Sequence, residues 1–124
     1  MGNSMGNDKR ILIIDEAGFS RICSAILEKE GYGTHAICDV RQIELTRDYS
    51  KFGLVITSYP FCAVILEELG KLNIPTIFLS DRLNNDLVIA LESFDKSLSY
   101  CMIKPLDYKK FRTLVNRTMG GMMD

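Results

Sequence analysis

Apolar positions along this chain follow two alternating rhythms. Short continuous runs rich in β-branched residues alternate with stretches whose apolar residues recur at helical spacing. Arg10–Ile14 (RILII) is the first run, and Asp15, Glu16, Ala17 and Gly18 follow it directly. The first helix comes next, with Phe19, Ile22, Cys23, Ile26 and Leu27 on one face and Arg21, Glu28 and Lys29 on the other. Gly31 supplies its C-terminal stop. Gly33–Cys38 reads as a weaker second strand. Asp39 caps a short second helix to about Asp48, on the thin stripe of Val40 and Ile43.

The densest run lies in 52–60, FGLVITSYP, where Leu54, Val55 and Ile56 read as a central strand buried on both faces. This strand delivers Thr57 and Ser58 to its C-terminal end. After Pro60 a third helix is expected over 61–69, carrying Phe61, Ile65, Leu66 and Leu69, with Gly70 as its stop. Ile74–Ser80 is a fourth strand with Pro75 at its start. Asn84 or Asn85 caps a fourth helix with Leu87, Val88, Leu91 and Phe94 on one face. Tyr100–Ile103 is the fifth strand and leads into Lys104-Pro105. Asp107 caps the last helix, lined by Tyr108, Phe111, Leu114, Val115 and Thr118 and ended by Gly120-Gly121. The order βαβαβαβαβα defines an α/β fold, a parallel sheet covered on both faces through right-handed crossovers.

Composition narrows the functional classes. A chain of 124 residues suits one domain with one core. A formal net charge of −1 creates no bulk attraction for nucleic acid or an acidic membrane. No apolar run approaches the roughly 20 residues that span a bilayer. Residues 1–8, MGNSMGND, are polar, lack signal-peptide character and read as a cloning remnant or a disordered lead-in. Met5 does not match the Ser or Thr of a myristoylation signal. The expected domain is 9–119, with 120–124 as a tail.

Cys23, Cys38, Cys62 and Cys101 form no C-x-x-C pair, and each has apolar neighbours. They are expected to be reduced and mostly buried. Cys62, at the start of the third helix, is the best candidate for an exposed, activated thiol. His35 is the only histidine, so a zinc site is not expected.

Four strand ends carry polar chemistry: Asp15-Glu16, Thr57-Ser58, Ser80-Asp81 and Lys104-Pro105. In open α/β sheets that edge is where ligands bind. With KRILIIDE, LVITS, IPTIFLS and MIKP in this order, the chain resembles the receiver domain of bacterial two-component response regulators over about residues 9–119. The resemblance implies a flavodoxin-like (βα)5 three-layer sandwich with strand order 2-1-3-4-5. It implies that Asp15 and Glu16 match the Mg²⁺-holding acids, Ser80 the switch hydroxyl and Lys104 the lysine that grips the phosphoryl group. The Lys104–Pro105 peptide is often cis in that family.

The departures from the pattern are concentrated at the same site. Ser58 stands where the family has its phosphoacceptor Asp, so a directly nucleophilic carboxylate is replaced by a hydroxyl that needs a base. The pocket is then Asp15, Glu16, Thr57, Ser58, Ser80 and Lys104. Asp15 and Glu16 alone should hold Mg²⁺ weakly or not at all, and no other cofactor is implied. The connection after the third strand is short. The switch aromatic is replaced by Cys101, while Tyr100 should face the other side of the strand. Tyr59 is expected to cover the pocket.

These features point to a degenerate receiver, not an enzyme, acting as a cytoplasmic protein–protein interaction module. Lys104 is expected to pair with Asp15 or Glu16. The partner surface implied by the resemblance is the fourth helix, fifth strand and last helix, used by a protein partner, an output domain or a second copy. Lys109, Lys110, Arg112 and Arg117 on the last helix read first as a solvated face. One alternative is phosphorylation at Ser58 by a Ser/Thr kinase, or at a neighbouring acid such as Asp81. Another is a small-ligand binder or enzyme on the same fold. The chain lacks G-x-x-x-x-G-K-[ST] and G-x-G-x-x-G, and EAGFS offers a single glycine after the first strand.

Overall fold

The structure, a computed structural model, describes residues 9–45, 49–81, 85–92 and 94–120. The expectations for the lead-in 1–8, the end of the second helix at 46–48, the Asn84 cap and Gly121 lie outside the described residues. Five parallel strands form one sheet in the order β2-β1-β3-β4-β5. They are β1 (Arg10–Ile14), β2 (Thr34–Ile37), β3 (Phe52–Ser58), β4 (Thr76–Ser80) and β5 (Ser99–Ile103). The α-helices are α1 (Ala17–Lys29), α2 (Leu66–Lys71), α3 (Asn85–Leu91) and α4 (Tyr108–Gly120). The fold is thus the flavodoxin-like sandwich with strand order 2-1-3-4-5.

The strand pattern explains the layering. Successive side chains in a strand point to opposite faces. Leu12, Ile14, Val55 and Phe78 therefore build one core layer, closed by Ile65 and by Leu69 of α2 and Leu87 of α3. Ile11, Ile13, Leu54, Ile56, Ile77 and Leu79 build the other, closed by Cys23 and Leu27 of α1 and Phe111 and Val115 of α4. The continuous apolar runs of β1, β3 and β4 belong to strands buried on both faces, whereas β2 and β5 at the edges are partly exposed.

α1 ends as its glycine predicts. Gly31 sits at φ +97° and donates to the Glu28 carbonyl at 3.0 Å, and Tyr32 N–H reaches the Leu27 carbonyl at 3.1 Å. This is a Schellman closure, whose left-handed position suits glycine. At the other helix of this face, Asp107 caps α4 by accepting from the N–H groups of Lys109 and Lys110 at 3.1 and 3.2 Å.

The connections on the opposite face differ from the helical expectation. Val40–Leu45 is a 3₁₀ stretch, not an α-helix. Asp39 does cap it, accepting from Arg41 N–H at 3.0 Å, but the thin apolar stripe does not extend it as an α-helix. After Pro60 the chain makes a turn and a short 3₁₀ segment, Ala63–Ile65, before α2 begins at Leu66. The helix expected from Phe61 is thus delayed, and Gly70 lies inside α2. The left-handed residue beyond it is Asn73, at φ +56°. Phe94, expected on the fourth helix, follows α3 and packs its ring edge-on to Phe78 at 5.5 Å.

Candidate functional site

The C-terminal strand ends converge as the topology requires. β3 pairs with β1 on one side and β4 on the other, so Ser58 lies between the ends of both. Asp15 follows β1 and is 1% exposed; Ser58 closes β3 and is 5% exposed. Ser58 Oγ donates a hydrogen bond to Asp15 Oδ2. Glu16 N–H donates to the other oxygen, Oδ1, at 2.8 Å. Ser20 on the first turn of α1 donates to the Asp15 backbone carbonyl at 3.1 Å. The donors from Ser58 and Glu16 satisfy the buried carboxylate, which would be strongly penalised if unpaired.

Thr57 lies one residue from Ser58 and serves the sheet instead. It is fully buried, and its hydroxyl donates to the Ile14 carbonyl at 2.6 Å. Ser80 closes β4, is buried, and its carbonyl accepts from Lys104 N–H at 2.7 Å. Glu16 is exposed. Lys104–Pro105 is cis, as the resemblance implies, and Tyr59–Pro60 is cis as well.

Lys104 does not pair with the acids. Among the described residues the ion pairs are Arg41–Asp39 and Arg112–Glu30. The Lys104 ammonium instead stands 4.8 Å from the centroid of the Phe19 ring. Asp15 is buried, and each of its oxygens already accepts a hydrogen bond, from Ser58 and from Glu16, so the carboxylate is held without Lys104. Exposed Glu16 offers little gain in return for fixing a lysine side chain. Phe19 was not singled out in the sequence as a site residue. Its place near the start of α1, after the acidic pair, is the one signal that could have marked it.

The thiols also differ from expectation. Cys62 is buried, not exposed, and burial pushes its thiol up to about 11 despite the hydroxyl of Thr57. Cys23 is buried, and burial together with the charge of Asp15 pushes it to about 12. The exposed cysteines are Cys38 and Cys101. Cys101 sits on the outer part of β5, with its thiol raised by partial burial. Tyr100 packs into the layer under α1 and α4, the face opposite Cys101. Tyr59 packs against the layer under α2 and α3.

These donors do not suit Mg²⁺. That ion demands near-octahedral oxygen ligands. Here one acid is buried with both oxygens accepting hydrogen bonds, the second is exposed, and the end of β3 offers the neutral hydroxyl of Ser58. No group of three potential metal-ligating side chains occurs among the described residues. A cleft of about 610 Å³ lies elsewhere, between Lys9, Tyr49, Gly53, Ile74 and Met119, at the opposite edge of the sheet. Among the described residues no helix is long and apolar enough to cross a membrane.

Comparison with known proteins places the fold. No family model matches the chain, and no curated protein does. Solved structures do. The non-phosphorylated HemR receiver domain from Leptospira biflexa aligns with a TM-score of 0.74 at 18% identity, covering 94% of this chain and 98% of that one. A response regulator receiver domain from Clostridium thermocellum aligns at 0.74 and 20% identity, covering 91% and 95%. The chemotaxis protein CheY4 from Vibrio cholerae aligns at 0.63 and 16% identity, covering 89% and 98%. The chain therefore has the receiver-domain fold of response regulators.

Proposed function

We propose that this chain is a degenerate receiver domain, a cytoplasmic signalling module that is not an enzyme and is not phosphorylated on Asp. The observation that carries the reading is the Ser58–Asp15 hydrogen bond. Where a receiver needs an ionised, accessible nucleophile, this chain holds a buried hydroxyl whose proton points at a neighbouring carboxylate. A carboxylate is far too weak a base to ionise a serine at neutral pH. The same bond occupies part of the Asp15 carboxylate with a neutral hydroxyl, which supports weak cation binding at this site.

Fixed in one arrangement, such a domain acts through its surface. The exposed apolar residues Val88 and Ile89 on α3 and Ile103 on β5 support docking through α3, β5 and α4, by a protein partner, an output domain or a second copy. Phosphorylation of Ser58 by a kinase is less well supported, because the hydroxyl is buried and engaged. Asp81, the other candidate acceptor, is exposed.

The test is incubation with acetyl phosphate and Mg²⁺, read by intact-mass spectrometry. The expected result is no phosphoryl adduct. An adduct on any carboxylate of the pocket would overturn the reading.

A further inference from the structure

The charge of this chain is unevenly distributed. α4 carries Lys109, Lys110, Arg112 and Arg117 and no acidic residue between Tyr108 and Gly120. The whole chain is −1, so these four cations leave −5 on everything else. On one flank α4 is tied down: Arg112 pairs with Glu30 at 3.7 Å, and Tyr32 Oη donates to Asn116 at 2.5 Å.

Among the described residues the other flank has no such ion pair. Lys109, Lys110 and Arg117 make no ion pair within the described residues. Asp107, the nearest acid in sequence, is engaged in capping the helix. These side chains, with Thr113 and Leu114, line a shallow groove of about 400 Å³ along the helix. Leu114 packs against the core layer under α1 and α4 and is half-buried, so part of its side chain stays open in the groove between the cations. Lys110 and Arg117 lie two turns apart on one face, about 10 Å at 1.5 Å per residue.

We infer that the groove on α4 docks an acidic amphipathic segment of a partner protein, with carboxylates two helical turns apart on Lys110 and Arg117 and an apolar side chain on Leu114. Charge complementarity selects the partner class, because the rest of this chain's surface is net acidic and repels the same segment. This inference rests on the reading of the chain as an interaction module and names the chemistry of its partner.

The probe is a capped synthetic peptide of Glu and Leu at helical spacing, with a counterpart carrying Gln in place of every Glu. Both are titrated into the full chain and followed by amide NMR. The Glu peptide is expected to shift Lys110, Thr113, Leu114 and Arg117 saturably. The Gln peptide should bind at least about tenfold more weakly, as should the Glu peptide when salt rises from about 50 to about 500 mM. The double variant Lys110→Glu/Arg117→Glu should lose binding, and the milder Lys110→Gln/Arg117→Gln should weaken it while circular dichroism stays unchanged. Equal binding of the Gln peptide, or shifts elsewhere, overturns the inference. So does tighter binding of mixed-sequence duplex DNA, or self-association that the double variant abolishes, since each assigns the groove to another occupant. If no peptide binds and the pocket still ignores phosphoryl donors, the partner class falls while the degenerate-receiver reading stands. An adduct with acetyl phosphate removes that reading independently of the groove.

Discussion

The Ser58 hydroxyl donates a hydrogen bond to the buried carboxylate of Asp15, across the gap between the ends of β3 and β1. The two residues are 43 positions apart in sequence and are brought together by the β1–β3 register, in which Ile14 opposes Thr57. The bond makes Ser58 a structural partner of Asp15. Ser58→Ala removes the donor and leaves a buried carboxylate oxygen unsatisfied. The expected cost is about 1–3 kcal/mol of stability at neutral pH, measured by urea unfolding. A change below about 0.5 kcal/mol would count against the bond.

Ser58→Asp tests the electrostatics of the same pair. Two carboxylates then share a buried site, and the repulsion pushes one of them above the usual carboxylate range. A group whose folded pKa is raised favours the folded state while it is protonated and loses that contribution as pH rises through its folded pKa. The variant should therefore be more stable near pH 5 than near pH 8 relative to the unmodified chain. Millimolar Mg²⁺ should raise its melting temperature and leave that of the unmodified chain unchanged. Thermal unfolding at two pH values, with and without Mg²⁺, reads both effects.

Lys104 distinguishes a cation–π contact from an ion pair. Its ammonium lies against Phe19 and pairs with neither Asp15 nor Glu16. Lys104→Met should cost no more than about 1 kcal/mol, the scale of an accessible cation–π contact. Breaking a buried ion pair would cost about 3–5 kcal/mol. Phe19→Ala, measured alongside in a double-mutant cycle, should show a coupling of about 0.5–1 kcal/mol with Lys104.

The four thiols should divide into two classes. Cys38 and Cys101 are exposed and should react with a gentle disulfide reagent in the folded protein. Cys23 and Cys62, buried and pushed up to about 12 and about 11, should react only on unfolding. Both folded values lie above the ordinary thiol value of 9.0. Their contribution to stability is full below about pH 9 and is lost progressively as pH rises toward 11–12. Mass-resolved labelling and an alkaline unfolding series check the two statements. Rapid native labelling of Cys62 would contradict the burial that the fold imposes on it.

Much of this architecture is written locally. The β1, β3 and β4 runs are apolar enough to be recognised as strands buried on both faces, and Gly31 and Asp107 mark helix ends by their own backbone chemistry. The connections around β3 were less legible. Val40 and Ile43 provide too thin a stripe to decide between an α-helix and a 3₁₀ stretch. The cis Tyr59–Pro60 turn precedes the 3₁₀ segment, and α2 begins only at Leu66. At the site, the residue types at the strand ends were readable, but their hydrogen bonds were not. At the end of β3 a carboxylate would repel Asp15, whereas the hydroxyl of Ser58 gives it a donor. That donor satisfies Asp15 and leaves Lys104 to the ring of Phe19, a residue on another element that no strand-end pattern marks. Cys62 was misread for a similar reason, since its burial depends on the core packing beneath the turn that carries it.

The central claim is that Ser58 has closed this pocket to phosphoryl chemistry. The most direct measurement is a titration with Mg²⁺ and beryllofluoride, a mimic of an aspartyl phosphate, followed by backbone amide NMR. The account predicts no saturable shifts at Asp15, Ser58, Ser80 or Lys104 at millimolar ligand. Saturable shifts at those residues, spreading to Cys101 and α4, would contradict it and establish a pocket that still senses a phosphoryl-like ligand.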